Sequence, residues 1–560
     1  MLAIHDASFP SRADEDTGRG SPYSRGARDL LAWAQDLGFD AVQLGPQGET
    51  SATNPSPYDG TAFAKTILSA SLWHLAHAPE WEGILDRALF EDIVLGAPPE
   101  GRRMAYGYVF AQHRRAMREA HARLDRTGDL FRRFDAWRRA NASWLDRDSR
   151  YESLAAEYGT DDWRGWPKAL AGVKGDEVFE LGQFVVHAQH AELVAHAEAS
   201  GLRLYGDLAI GTSHRDRFGR DRLFLERYVM GAPPSRTNPE GQPWGYPVLV
   251  PGSAEGLVLV RARATKLLSE FHGIRIDHPH GHVCPWVYDA QSPDPLRAVK
   301  QGARLFESPD LPDHPDLAEW AIARPEQIDR HVSRHADGWV RALDEEQVDR
   351  YARQIEILME AARAFGRSEQ DVLLEVLSTC PYPLLRVMQR YGLGRFRVTQ
   401  KTNPRDPTDV YSTEQARPGD WVMLGNHDTP PIWTCVDGWS EDKQAAWRAY
   451  LEGRLGADVF AGGTTIPQAM LADLFACPAG RVSVFFADLL GEREVYNTPG
   501  VVSADNWTLR ADRDFARVHA ERIGRGLALD VPRALATALR ARGHHALATR
   551  LEPHGGRVPR

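Results

Sequence analysis

Residues 273–277 read Gly-Ile-Arg-Ile-Asp, and the next five read His-Pro-His-Gly-His. A short apolar run rich in β-branched residues, opened by glycine and closed by an acid and a proline, predicts a strand buried on both faces. The same pattern recurs along the chain at 2–5, 40–44, 202–207, 372–375, 396–400, 421–425 and 482–486. Amphipathic stretches lie between most of these runs. At 27–37, Leu30, Leu31, Ala34 and Leu37 make an apolar stripe at helical spacing. Eight strands alternating with helices predict an α/β fold, a parallel sheet closed into a (β/α)₈ TIM barrel, carried by one catalytic unit over 1–560.

The spacing is uneven. The stretch from 44 to 202 far exceeds a simple crossover. Phe110, Met117 and Leu124 repeat there every seven residues, with Arg and Glu between, until Thr127-Gly128-Asp129 breaks the pattern. The expectation is a helical subdomain at 70–180, inserted between the second and third barrel strands. A second insertion, MGAPPSRTNPEGQPWGYP at 230–247, is dense in Pro and Gly and reads as an irregular, lid-like loop over a cleft. Near the end, Asp530 reads as an N-cap, Pro532 as a first-turn proline and Gly543 as the stop.

Composition narrows the function classes. The 560 residues carry a formal charge of −10 with no strong basic patch, which argues against nucleic acid as a partner. Four cysteines (Cys284, Cys380, Cys435 and Cys477) form no CxxC pair, so a reducing compartment is expected. No export signal and no long apolar run appear, which predicts a cytoplasmic protein without a membrane span. Sixteen tryptophans are many for this length, and flat aromatic faces suit sugar rings.

Three carboxylates fall where strands end: Asp277 closes the fourth run, Glu375 the fifth, and Asp428 follows the seventh. That end of a barrel carries the active site. A salt bridge or a helix cap would explain any one of them. All three together suit glycoside chemistry, in which one carboxylate attacks the anomeric carbon and another moves the leaving group's proton. A third stabilises the oxocarbenium-like transition state. Arg275 stands two residues before Asp277, hence on the same face of a strand, where it would hold the nucleophile ionised.

With these residues in place, the chain resembles the amylomaltases, or disproportionating enzymes, of glycoside hydrolase family seventy-seven. The resemblance runs through IHDASFPS at 4–11, AVQLGP at 41–46, SPY at 56–58 and LYGDLAIGTS at 204–213. It continues through GQPWGYP at 241–247, RIDH at 275–278, HDT at 427–429, DLLGEREVYNTPG at 488–500 and NWTLR at 506–510. It implies a 4-α-glucanotransferase that moves α-1,4-glucan segments between maltooligosaccharide donors and acceptors without cofactor or metal. It further implies Asp277 as nucleophile, Glu375 as acid/base and Asp428 as transition-state stabiliser. Arg275 would orient Asp277, His427 and Asp207 would hold the sugar, Tyr58 would stack on it, and Trp244 would shield the glycosyl-enzyme. Read from the residues alone, Asp207 is equally a helix cap after the third strand.

The sequence departs from the family pattern at three places. Glu375 leads into Val376-Leu377-Ser378 where an acid and a glycine are usual, Asn426 and Pro430-Pro431 flank the HDT motif, and HPHGH follows Asp277. Histidines at 278, 280 and 282 would share one face of a strand, as a zinc site requires, but Pro279 and Gly281 interrupt it. Serine-hydrolase, phosphate-loop and dinucleotide signatures are missing. A glucan hydrolase on the same scaffold and a non-catalytic glucan-binding relative are the rival expectations.

Overall fold

Each of the eight predicted runs contains a strand in the structure, a computed structural model that describes residues 1–99, 101–166, 172–236, 238–501 and 503–551. The strands are Leu2–Ala3, Ala41–Gln43, Arg203–Leu208, Gly273–Ile276, Val372–Leu374, Phe396–Val398 and Trp421–Met423, the last run being split into Arg481–Val482 and Val484–Phe485. Every pairing among them is parallel. Two ladders result. One runs from Val484–Phe485 through Leu2–Ala3, Ala41–Gln43, Arg203–Leu208 and Gly273–Ile276 to Val372–Leu374; the other joins Phe396–Val398, Trp421–Met423 and Arg481–Val482.

The split strand stitches the ladders together at Ser483. Its amide donates to the Val422 carbonyl at 2.8 Å, and the next amide, Val484, turns to Met1 at 3.0 Å. On the far side, no ladder links Val372–Leu374 to Phe396–Val398 among the described residues. There Trp421 donates its indole N–H to the Leu374 carbonyl at 3.4 Å, and the Arg395 side chain reaches the Leu377 carbonyl. The result is a curled parallel sheet with strands in chain order. Leu204, Ile274, Ile276 and Leu374 on three adjoining strands are buried, as expected of strands covered on both faces.

The helices follow their sequence signals. Arg25–Asp36 starts at Ser24, whose hydroxyl accepts from the Ala27 amide, and buries Ala27, Leu30, Leu31 and Ala34 against the core. Val531–Ala541 is capped by Asp530 and stops before Gly543, which takes a φ of 80°. Between the second and third parallel strands lie Leu72–His77, Arg87–Gly96, Tyr106–Arg123, Asp129–Ala140, Ala142–Tyr158 and Glu177–Ser200. Residues 167–171 of the expected insertion lie outside the described residues.

The stretch at 230–247 corrects the sequence reading. It is not a loop throughout: its two ends lie in the antiparallel strands Phe224–Ala232 and Gln242–Leu249, and only 233–241 connects them. With Trp286–Asp289 and Ala303–Arg304 these form a four-stranded sheet in which Gln242–Leu249 is an edge. Proline is tolerated on an edge because no ladder N–H is needed on the open side, which accommodates Pro243 and Pro247. Gly245 takes a φ of 73°, beyond the reach of an L-residue in a regular strand. Sequence that would break a central strand thus builds an edge.

Candidate active site

Register brings the acids together. Asp207 is the ladder partner of Arg275, and Ile276 that of Leu374. The backbone bonds continue one residue further, from the Asp277 amide to Leu208 at 3.1 Å and from the Glu375 amide to Ile276 at 3.0 Å. Side chains on one face recur every second residue, so Asp207, Arg275, Asp277 and Glu375 face the same way from three adjoining strands. Asp207 is therefore a strand residue, and the helix-cap reading is withdrawn.

Arg275 is the hub, only 3% exposed. Its guanidinium contacts Asp207 at 2.5 Å, Asp277 at 3.1 Å and Glu375 at 2.7 Å, and donates to the Tyr58 hydroxyl at 3.1 Å. Tyr58 in turn donates to Asp207 at 3.0 Å. Three buried carboxylates around one guanidinium cannot all ionise freely. Burial pushes Asp207 up to about 7, against the pull of Arg275 and with the push of Asp277. Glu375 goes the other way: burial opposes its charge, but Arg275 and His278 outweigh it and hold the carboxyl well below its ordinary range.

His278 belongs to this group as well. Its Nδ1 lies 3.5 Å from Asp277 and 3.3 Å from Glu375. Burial works against its charge, but hydrogen bonds to the two carboxylates lift it to about 10, so it carries a proton at neutral pH. Its φ of 41° is rare for a residue with a β-carbon, a local strain of the kind that gathers at functional sites. The ring meets Trp244 edge-on at 4.9 Å, and Trp244 is fixed by donating its indole N–H to Gln242 at 2.9 Å.

Asp428 enters from the other ladder. Asn497 donates to it at 2.7 Å, and His427 Nε2 lies 3.5 Å away. The His427 ring stacks on Tyr58 at 5.1 Å, while His5 and Trp507 stack at 5.9 Å in the same aromatic group. Burial lowers the His427 pKa, so this imidazole is neutral beside Asp428. All eight residues singled out from the sequence thus join one contact network.

Sequence reasoning missed four members: His278, Asn497, His5 and Trp507. Each sits inside a quoted motif, yet nothing local assigns it a partner. The metal reading of HPHGH does not carry over to the structure. His280–Val283 is a short helix, His280 bonds the Thr379 carbonyl at 3.1 Å and His282 bonds Gln354 at 2.9 Å. The trio that does converge, Asp277, His278 and Glu375, has ligand-type atoms within 4.8 Å of one another. Arg275 and protonated His278 already supply positive charge there. Beside Trp244, Gly245 and Tyr246 opens a cavity of about 1130 Å³ that runs past Asp59, Glu152 and Arg215.

Residues 4–514 match the sequence profile of one protein family, described as 4-alpha-glucanotransferase. The chain belongs to the 4-alpha-glucanotransferase family. It is 29% identical over 343 residues to the 4-alpha-glucanotransferase of Thermus thermophilus, covering 55% of this chain and 64% of that one. The Chlamydia pneumoniae protein of the same name is 24% identical over 304 residues, covering 50% of this chain and 56% of its own length. The chain therefore matches less than two thirds of each of these relatives. Among solved structures, the amylomaltase from Streptococcus agalactiae in complex with acarbose superposes with a TM-score of 0.73 at 18% identity, covering 93% of this chain and 96% of that one. The Corynebacterium glutamicum amylomaltase gives 0.69 at 17%, covering 98% and 74%. The family fold is shared along nearly the whole chain.

Proposed function

We propose that this family member is a 4-α-glucanotransferase, moving α-1,4-glucan segments between maltooligosaccharides by retaining double displacement. One observation carries the reading: Asp277 and Glu375 present oxygens within 4.8 Å of each other across neighbouring strands. Inverting enzymes separate their carboxyl groups by about 6.5–9.5 Å to admit a water, whereas retaining ones hold them at about 5 Å. The amylomaltase likeness supports closing the curled sheet into a (β/α)₈ barrel, with the acids at the C-terminal mouth. In the same reading, 70–180 is an inserted helical subdomain and the hairpin bearing Trp244 is a lid. No helix among the described residues is long and apolar enough to cross a membrane. Four free cysteines favour a cytoplasmic setting.

The Asp277 carboxylate attacks C1 of the donor sugar as the bond to the departing glucan's O4 breaks, and Glu375 gives that oxygen its proton. The 4-hydroxyl of an acceptor then attacks C1, its proton passes to Glu375 and Asp277 leaves. Glu375 must therefore be protonated when the donor is bound. Arg275 and His278 hold it as a carboxylate in the empty site, so donor binding has to loosen those contacts. Asp428, steadied by Asn497, faces the developing charge.

Incubating the protein with maltotriose and separating the products over time tests this. Glucose with a ladder of longer maltooligosaccharides is the expected result, abolished in Asp277→Asn. Glucose and maltose with no longer chain would replace transfer by hydrolysis. No turnover, with binding of maltotriose retained, would leave only a glucan binder.

A further inference from the structure

A second cavity, of about 700 Å³, lies behind the segment that carries the acids and includes none of the eight site residues. Leu208, Ile210 and Gly281 form one wall, Phe306, Trp320 and Tyr351 another. Its size and mixed lining are those of a small-molecule site.

Four arginines converge on it, and not all of their donors are spent. Arg220, Arg263, Arg350 and Arg353 all line it. Many other arginines of this acidic chain are matched with carboxylates, as in Arg215–Glu152 at 2.5 Å and Arg397–Asp420 at 2.7 Å. Arg353 too has Glu356, at 2.9 Å. Arg263 donates to the Ala209 carbonyl at 2.7 Å, and Arg220, over the Phe63 ring at 5.4 Å, leaves a buried Nη1 with no hydrogen-bond partner among the described residues. Burial, with the neighbouring Arg147, lowers the Arg220 pKa to about 10 against the pull of Asp216 and Asp148. His282, 9% exposed, donates its Nδ1–H to Gln354 and leaves a buried Nε2, an acceptor in the neutral ring, without a partner among the described residues.

The first turn of the helix Ala254–Glu270 also lines the cavity, and its free amides favour an anion. Two acids are present. Asp216 is engaged by Arg147 at 3.3 Å and Ser213 at 2.7 Å, and Glu319 is exposed. Buried donors without acceptors are costly, and a multi-oxygen anion would satisfy several at once.

We propose that this cavity binds a small phosphate monoester whose organic body packs on Trp320, Phe306 and Tyr351. Its phosphate accepts from Arg220, Arg350 and the helix amides, and as the monoanion donates its one P–OH to the neutral His282 Nε2. The occupant would touch Ile210, whose amide lies 3.4 Å from Asp277 Oδ2, and so bears on the segment that holds this acid.

Calorimetry with phenyl phosphate, against inorganic phosphate and phenol, tests the proposal without any turnover, so its outcome is independent of the glucan-transfer reading. Saturable binding of phenyl phosphate is expected, tighter than either fragment. It should weaken by about tenfold in Arg220→Met and in Arg350→Met, and maltotriose should not displace it. Arg350 is exposed, so its variant is expected to fold even if the Arg220 one does not. Absence of saturable binding at millimolar concentration, equal binding by Arg350→Met, or displacement by maltotriose would each overturn the assignment.

Discussion

Arg275 is one positive charge set among Asp207, Asp277 and Glu375, and the cost of that crowding falls on Asp207. Its pKa rises from 3.8 to about 7, so between these values the folded protein holds a proton that the unfolded chain has released. Stability must then fall as pH rises through that window and level off above it. Asp207→Asn removes this residue's share of the slope while keeping a group of the same shape. Urea midpoints measured across the window should decline less steeply in the variant than in the parent, with transfer activity lost, since buried Glu49, Glu307 and Asp488 are also raised to about 7; an equal slope in both would place the proton elsewhere. His278 adds the same tendency at higher pH. Its pKa rises to about 10 from 6.5, so its contribution is complete below 6.5 and disappears as pH passes about 10. Glu375 feels that charge, and His278→Gln should let its pKa rise. The alkaline limb of kcat/KM should shift upward by about one pH unit, roughly 1.4 kcal/mol of lost pairing. An unmoved limb would detach His278 from the acid/base group.

Among the elements, the hairpin of Phe224–Ala232 and Gln242–Leu249 is the one whose form and role part most clearly from its sequence. Trp244 rides on the edge strand and meets His278 at 4.9 Å, close to where a glycosyl-enzyme would sit. If the hairpin keeps water from that intermediate, Trp244→Ala should raise glucose release relative to chain transfer by about tenfold, or ~1.4 kcal/mol. An unchanged product ratio would remove the shielding role. The parallel strands were legible because burial on both faces leaves a continuous apolar run that ends at an acid or a glycine. The hairpin was not, since the edge position of Gln242–Leu249 admits Pro243 and Pro247, which read as loop. The site divides along the same line. Asp277, Glu375 and Asp428 announce themselves at strand ends, and Arg275 by its spacing. The contact of Arg275 with Glu375 depends on inter-strand register, the φ of His278 on a turn, and the Asn497–Asp428 bond on two segments 69 residues apart. None of these is written in a local pattern.

Across the whole molecule, the two ends of the parallel sheet are built for different purposes. At the mouth, like charges are concentrated around one arginine, an arrangement that stores cost for use in chemistry. At the opposite end, Asp371 stands just before the strand Val372–Leu374 and gathers opposite charge. Arg203, which opens its own strand, reaches it at 2.7 Å, Arg481 at 3.3 Å, and the Tyr205 hydroxyl donates to it at 3.2 Å. Arg481 also donates to the Gln370 carbonyl at 3.0 Å, joining the split strand to the side of the sheet that lacks a ladder. Burial disfavours the Asp371 charge, but the Ser368 amide and Arg203 outweigh it and lower the pKa below 3.8. Its contribution is therefore full above 3.8 and lost only as pH falls through the lower folded value. Asp371→Ala strips two partly exposed arginines of their partner, and solvent tempers the loss to about 2 kcal/mol. Chemical denaturation should show that loss near neutral pH, while kcat for maltotriose stays within a small factor of the parent. Asp277→Asn should do the reverse, removing turnover and leaving the unfolding midpoint equal or higher. Were Asp371→Ala to abolish turnover at unchanged stability, the division of labour between the two ends would not hold.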